Sequence, residues 1–398
     1  MTGHAAPAAA PAPAPPPRDA LARLSRRALV VGLVATLAAW LGTLVDPDQV
    51  LRAWLVAVVL ATGVAAGCLA LVLLHLLTGG AWGRVVRRPL EAAAGTLPLL
   101  ALLFVPLLAG LPRLYPWARP EQVATDPLLQ HRAAWLNAPC FTARLVLTFL
   151  VWIGTALLLR RQGRRRASDD AHAPRATRRL AAPALLAWAL VATSAAIDWL
   201  MSLEPHWRSS LVGIAFITGS VLSALAFVVV VSGAGGERSP FGGRVEPDRL
   251  HDLGTLLFAF VMLFAYFAFS QFLLVWSADL PEEVTFYLRR SRDGWGWVAG
   301  ALALLHVAVP FALLLGRRAK RNRHVLVAVA SLVLLMRWVD LQWHVAPTAV
   351  GGAALVHWID LTALLGVAAL FVAAFAWRLG RDPHPPRARA AASGEARA

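Results

Sequence analysis

Residues 53–78 read AWLVAVVLATGVAAGCLALVLLHLLT, 26 positions without a single Asp, Glu, Lys or Arg. An α-helix rises 1.5 Å per residue, so the stretch covers roughly 39 Å, more than the roughly 30 Å hydrocarbon core of a bilayer. Comparable blocks recur, and ten helices are predicted: 28–45, 53–78, 92–111, 141–159, 181–203, 210–232, 253–277, 295–315, 325–343 and 353–377. Pro98 and Pro106 predict a kink in the third, because proline lacks the amide hydrogen a helix interior needs. Bulk composition agrees: of 398 residues 58% are hydrophobic and 15% charged, and the mean hydropathy is +0.61. These values exclude ordinary water-soluble domains. The fold class expected is all-α, a polytopic membrane protein. Sixteen tryptophans, mostly near block ends, suit interfacial belts.

A net charge of +16 would suggest nucleic acid as a partner of a soluble domain. Here the basic residues are segregated instead. Alternate inter-helix segments, both tails included, carry 28 Lys and Arg in one set and 8 in the other, with Arg144 and Arg337 inside helices. The positive-inside rule then places both termini, and the run RRQGRRR at 160–166, in the cytoplasm. Residues 1–24 and 381–398, rich in Ala and Pro, read as disordered cytoplasmic tails around a membrane domain over 25–380.

Only Cys68 and Cys140 are present, without CxxC or CxxCH, so iron–sulfur clusters and c-type haem find no ligands in this chain. Both thiols are expected to be unpaired. A transmembrane b-haem needs two histidines at one depth, whereas His75, His306 and His357 fall at three depths. His206, His344 and His357 could approach one another near the outer surface. No metal site is assigned, and no cofactor is expected to be bound in this chain.

The stretch 335–344, LMRWVDLQWH, then raises the question of why charges sit inside apolar helices. Asp198, Asp340, Asp360, Arg144 and Arg337 all fall in the outer halves of their predicted helices. A charge in hydrocarbon costs at least a few kcal/mol unless paired or hydrated, so such residues usually face a bundle interior. One reading is a polar cavity open to the periplasm, with Arg337 and Asp340 as an i,i+3 pair. The plainer reading is that the charges lock helices together or snorkel to headgroups, above all for Arg144.

Helix 5 ends AIDWLMSLEPHW and helix 9 ends RWVDLQWHVAP, each with an aspartate and aromatics before a histidine. The four-helix separation suggests two four-helix units, helices 2–5 and 6–9, with helices 1 and 10 outside them. Asp198, His357 and Asp360, among Trp and Leu, have the chemistry to accept protons from a quinol, whose oxidation releases two protons with two electrons. The Arg337/Asp340 pair is read as a fixed electrostatic element beside them. A second polar trail comprises Tyr266, Ser270 and Gln271 in helix 7, His251 and Asp252 at its start, His306 at mid-depth and His75 near the cytoplasm. Taken singly, these residues could equally satisfy helix-to-helix hydrogen bonds. Gly213, Gly219, Ser220 and Ser223 of helix 6 read as packing positions. The loop 277–297, SADLPEEVTFYLRRSRDGWGW, has Glu282, Glu283, Tyr287, Arg289 and Arg290 with which to dock a partner.

The stretches DWLMSLEPHWRSSLVG at 198–213, LLFAFVMLFAYFAFSQFLLVWSADLPEEVTFYLRR at 256–290 and RWVDLQWHVAP at 337–347 together resemble the NrfD/polysulfide-reductase membrane subunits. Within these they are most similar to the ActF type found in alternative complex III, the bacterial quinol:cytochrome c oxidoreductase. The resemblance spans roughly residues 25–380. It implies ten helices in two four-helix bundles and no prosthetic group in this subunit. It also implies partners: a periplasmic iron–sulfur protein, a sister NrfD-like subunit and c-type cytochromes, which carry the iron–sulfur clusters and haem c. The substrate implied is a quinol such as menaquinol, bound near the periplasmic face. Asp198, Arg337 and Asp340 fall in the motif stretches, and Tyr266, Ser270 and Gln271 in the helix 7 stretch. Two roles are left open: a subunit that conducts protons and scaffolds the complex, or the quinol-oxidising subunit itself.

Overall fold

A computed structural model describes residues 18–166, 173–234, 245–348 and 356–381, with the backbone alone at 81, 163–166 and 173–177. Among these residues ten helices are long and apolar enough to cross a membrane. They are helix 1, Arg18–Leu44; helix 2, Pro47–Thr78; helix 3, Trp82–Ala109; helix 4, Ala138–Gln162; and helix 5, Arg178–Leu203. Helix 6 is Val212–Gly233, helix 7 Pro247–Ala278, helix 8 Trp295–Leu315, helix 9 Arg323–Thr348 and helix 10 Trp358–Arg381. The chain is therefore an all-α, multi-pass membrane protein, with no strand among the described residues.

Helix boundaries differ from expectation where capping residues decide them. Helix 2 begins six residues early, at Pro47, because Asp46 caps it by accepting from the Gln49 amide at 2.9 Å. Helix 1 starts at Arg18, so part of the expected tail is helical. The rest of both tails, 1–17 and 382–398, lies outside the described residues, as do 353–355 at the expected start of helix 10. Helix 3 breaks into Ala81–Ala94, Leu97–Leu103 and Val105–Ala109, with Pro98 and Pro106 each opening a new piece. Trp54 of helix 2 donates its indole N–H to the Leu103 carbonyl at 2.8 Å, meeting one group the break leaves open.

Helix 2 is the axis of the molecule: 94% of its apolar window is buried by other helices, against 17% for helices 7 and 8. It packs on helices 3, 5, 6, 9 and 10, and helix 6 in turn packs on helices 5, 7 and 9. Small residues allow the central approach. A Cβ on Gly67 would collide with the Ser220 backbone of helix 6, and one on Gly63 would sit 3.3 Å from the Ser220 hydroxyl. Helix 1 runs along helix 10, with Gly32 and Gly366 at the close contacts. In lipid, where the hydrophobic effect does not draw helices together, such contact supplies the dispersion energy of association.

Candidate functional site

Helix 9 carries Arg337 and Asp340 on one face, 5% and 9% exposed. Arg337 Nη1 donates to Asp340 Oδ2 at 2.5 Å, and the guanidinium carbon lies 4.9 Å from the centre of the Phe264 ring. On the other side a Cβ at Gly219 of helix 6 would fall on the guanidinium, so this glycine makes room for a charge. One turn further, His344 Nδ1 lies 2.9 Å from the Asp340 carbonyl and 3.8 Å from Oδ1.

His306 of helix 8 completes the group. Its ring is 1% exposed, packs on Phe264 at 4.5 Å between centroids, and is close enough to interact electrostatically with Arg337 and Asp340. It lies in a π-helical segment, Leu302–Ala308, just ahead of Pro310. Proline has no N–H to give the carbonyl four residues back, which is that of His306, and its ring pushes that carbonyl aside; widening the turn relieves both. Neither ring nitrogen of His306, nor Arg337 Nε, has a hydrogen-bond partner among the described residues. A buried histidine with both nitrogens open is uncommon, since buried polar groups are normally satisfied.

The other carboxylates have separate partners. Asp198, 2% exposed, receives Arg144 Nε on Oδ2 and Nη2 on Oδ1, both at 2.8 Å, a bidentate pair joining helices 4 and 5. Arg144 also donates to the Trp135 carbonyl at 3.0 Å and covers the Trp135 ring at 4.3 Å. Asp360 accepts from Gln49 Nε2 of helix 2 and from the His357 amide, each at 2.8 Å. His357 Nδ1 accepts from the Ile359 amide at 3.3 Å. The structure thus brings Arg337, Asp340 and His306 together, and His357 with Asp360. Asp198 stands with Arg144.

Along the second trail, Tyr266 is 62% exposed on the outer face of helix 7, its ring edge-on to Phe267. Ser270 is half-buried, and Gln271 accepts a hydrogen bond from the Ser209 hydroxyl. His75 Nδ1 lies 3.1 Å from the Gly79 carbonyl, Asp252 pairs with Arg249 at 3.6 Å, and the His251 carbonyl accepts from Thr255. Apart from the link from Gln271 to Ser209, these contacts lie within four residues along the chain.

Sequence reasoning missed a buried clamp at the end where helices 5 and 9 finish. In the loop helix Pro281–Ser291, Arg290 is 2% exposed and turned inward. It donates to Glu204 Oε1 at 2.6 Å, to the His344 carbonyl at 2.5 Å, and to the Trp343 and Phe286 carbonyls at 2.9 Å, with its guanidinium 3.5 Å over the Phe286 ring. Burial lowers its pKa and Glu204 opposes that. Burial raises the Tyr287 phenol. Trp207 stacks on Phe286 at 4.1 Å, and Arg289 adds a 3.3 Å contact to Glu204. Glu204, in the SLEPHW stretch, was the available signal. His206, in the same stretch, pairs with Asp126 at 2.8 Å.

Cys68 is buried and Cys140 half-buried, both as free thiols. Among the described residues no three His, Cys, Asp or Glu side chains converge as a metal-ligand set. Compared with protein-family models and with curated proteins, the chain matches none of either.

Proposed function

We propose that the chain is an integral membrane subunit of a bacterial quinol:electron-acceptor oxidoreductase of the NrfD/polysulfide-reductase type, akin to the ActF subunit of alternative complex III. In this reading it scaffolds the complex and carries protons through helices 7–9, with the end bearing Asp198 and Asp340 facing the periplasm. The partners are a periplasmic iron–sulfur protein, a sister NrfD-like subunit and c-type cytochromes, and the redox cofactors belong to them. Support comes from the three motif stretches and from the pairwise packing, in which helices 2–5 and helices 6–9 each adjoin one another and meet along helices 2 and 6.

One observation carries the proton role: the open ring of His306 beside the Arg337/Asp340 pair. An ion pair that merely locks helices has no need of a titratable ring with two unsatisfied nitrogens, and intramembrane ionisable groups gather on pathways. Histidine, with one nitrogen to accept and one to release, can relay a proton without leaving its place. The test is His306→Phe, which keeps the contact with Phe264, in native membranes assayed for quinol-driven proton movement with a pH-sensitive dye. The complex should assemble, and proton-coupled turnover should fall by about 100-fold or more, the lower end of what positioned acid–base groups contribute. Unchanged proton movement in both His306→Phe and Asp340→Asn would refute the role.

The second reading, quinol oxidation by this chain itself, is favoured by His357. Its Nδ1 accepts from the Ile359 amide beside the buried Asp360, which puts the ring proton on Nε2, where it can donate to a quinol oxygen. Asp198 suits that reading less well, because both its oxygens are taken by Arg144. Loss of quinol binding in an assembled His357→Phe complex would favour this second role over the first.

A further inference from the structure

At the end opposite the carboxylates, helices 2, 3, 4 and 10 leave a narrow cleft of about 60 Å³ between them. Its wall is apolar: Leu69 and Val72 of helix 2, Pro98 of helix 3, Ile153 and Leu157 of helix 4. Its rim is cationic. Arg160 of helix 4 and Arg378 of helix 10 line it, and they continue with Trp377 and Arg381 into a second hollow alongside. Glu91 is the one acid among the lining residues, and Arg87 engages it at 2.6 Å.

The rim is shaped by neighbouring residues. A Cβ on Gly95, at the first break of helix 3, would come 2.8 Å from both Cδ and Nη1 of Arg378, so the missing side chain lets that arginine lie against the helix. The Arg381 guanidinium stands 4.0 Å over the ring of Trp377, itself 47% exposed. Tryptophan beside arginine at a helix end marks headgroup depth, where a ring can sit half in lipid.

We propose that this cleft is a binding site for an anionic phospholipid, its phosphate held by Arg160, Arg378 and Arg381 and one acyl chain laid along the wall formed by Leu157, Ile153 and Pro98. Basic pockets between membrane helices bind anionic headgroups in this way. The amphiphile matches both parts of the site; a free phosphate would use only the rim and a zwitterionic lipid only the wall. The site is remote from the proton route proposed above and stands independently of it.

Native mass spectrometry of the full chain, titrated with phosphatidylglycerol and with phosphatidylcholine, tests the proposal. Wild type should prefer phosphatidylglycerol. Arg160→Gln/Arg381→Gln, at two exposed positions, should weaken that lipid by roughly fivefold per arginine, about 30-fold in all, with little change for phosphatidylcholine. Leu157→Trp, at a position 49% exposed, narrows the groove and should also weaken the intact lipid. Should the double variant not fold, Leu157→Trp decides the matter by itself. Equal affinity of wild type for the two lipids, or no effect of the variants, overturns the site; so does displacement of the lipid by millimolar inorganic phosphate, which would mark a free-anion site.

Discussion

Removing Arg144 should destabilise the protein far more than removing Arg144 and Asp198 together. Arg144 and Asp198 meet through two hydrogen bonds of 2.8 Å, with side chains only 13% and 3% exposed, so water cannot replace either partner. Unit charges about 4 Å apart attract by roughly 4 kcal/mol at an effective dielectric near 20, and breaking a buried pair from one side costs about 3–5 kcal/mol. Arg144→Met keeps an aliphatic side chain of similar length but removes the guanidinium from over Trp135 and strands the Asp198 carboxylate between helices 4 and 5. Its expected loss is therefore about 3–5 kcal/mol, whereas Arg144→Met/Asp198→Leu should return to within roughly 1 kcal/mol of wild type. Equilibrium unfolding in mixed micelles, run as a double-mutant cycle, measures the coupling. Strictly additive effects would show that the two side chains do not act as a buried pair and would refute the reasoning.

Arg290→Lys replaces a planar fork that reaches Glu204 and three carbonyls with a single ammonium that cannot span them. Losing even one charge-assisted bond costs about 1.5–3 kcal/mol locally, so hydrogen exchange over 281–291 should quicken by at least about tenfold; unaltered exchange would count against the clamp. The Asp126 region should respond to acid. Desolvation raises the Asp126 carboxyl pKa, but hydrogen bonds from His206 and from the Leu128 and Leu129 amides outweigh it, and the net shift is downward. A depressed folded pKa means a stabilisation that is present above the ordinary aspartate value near 4 and lost as pH falls through the folded value. Protection of residues 120–132 should accordingly fade only below about pH 4, and Asp126→Asn should abolish that dependence; a loss centred well above pH 5 would contradict it.

Much of the architecture was legible because a bilayer imposes length and polarity on each segment separately. The 26 uncharged residues from Ala53 to Thr78 and the nine comparable blocks needed no knowledge of their neighbours to be read as spans. The Arg337/Asp340 pair was legible too, since a three-residue spacing on a helix is local geometry. Asp198 with Arg144, Asp360 with Gln49, and Glu204 with Arg290 were not, because their members stand 54, 311 and 86 residues apart. The same holds for Gly219, whose role as the space for a guanidinium depends on helix 9 packing against helix 6.

The primary structure alone determined that the chain is helical, crosses a membrane many times and buries charge within it, because each of these follows from the solvation of a segment about 20 residues long. Tertiary structure decided which charge met which. Helix 2 became the buried axis, Asp198 was tied to Arg144, and His306 was left beside Arg337 with neither ring nitrogen bonded among the described residues. Pairing across helices is set by rotation and close approach of whole elements, through glycines such as Gly67 and Gly219, and no periodicity within a single helix encodes it.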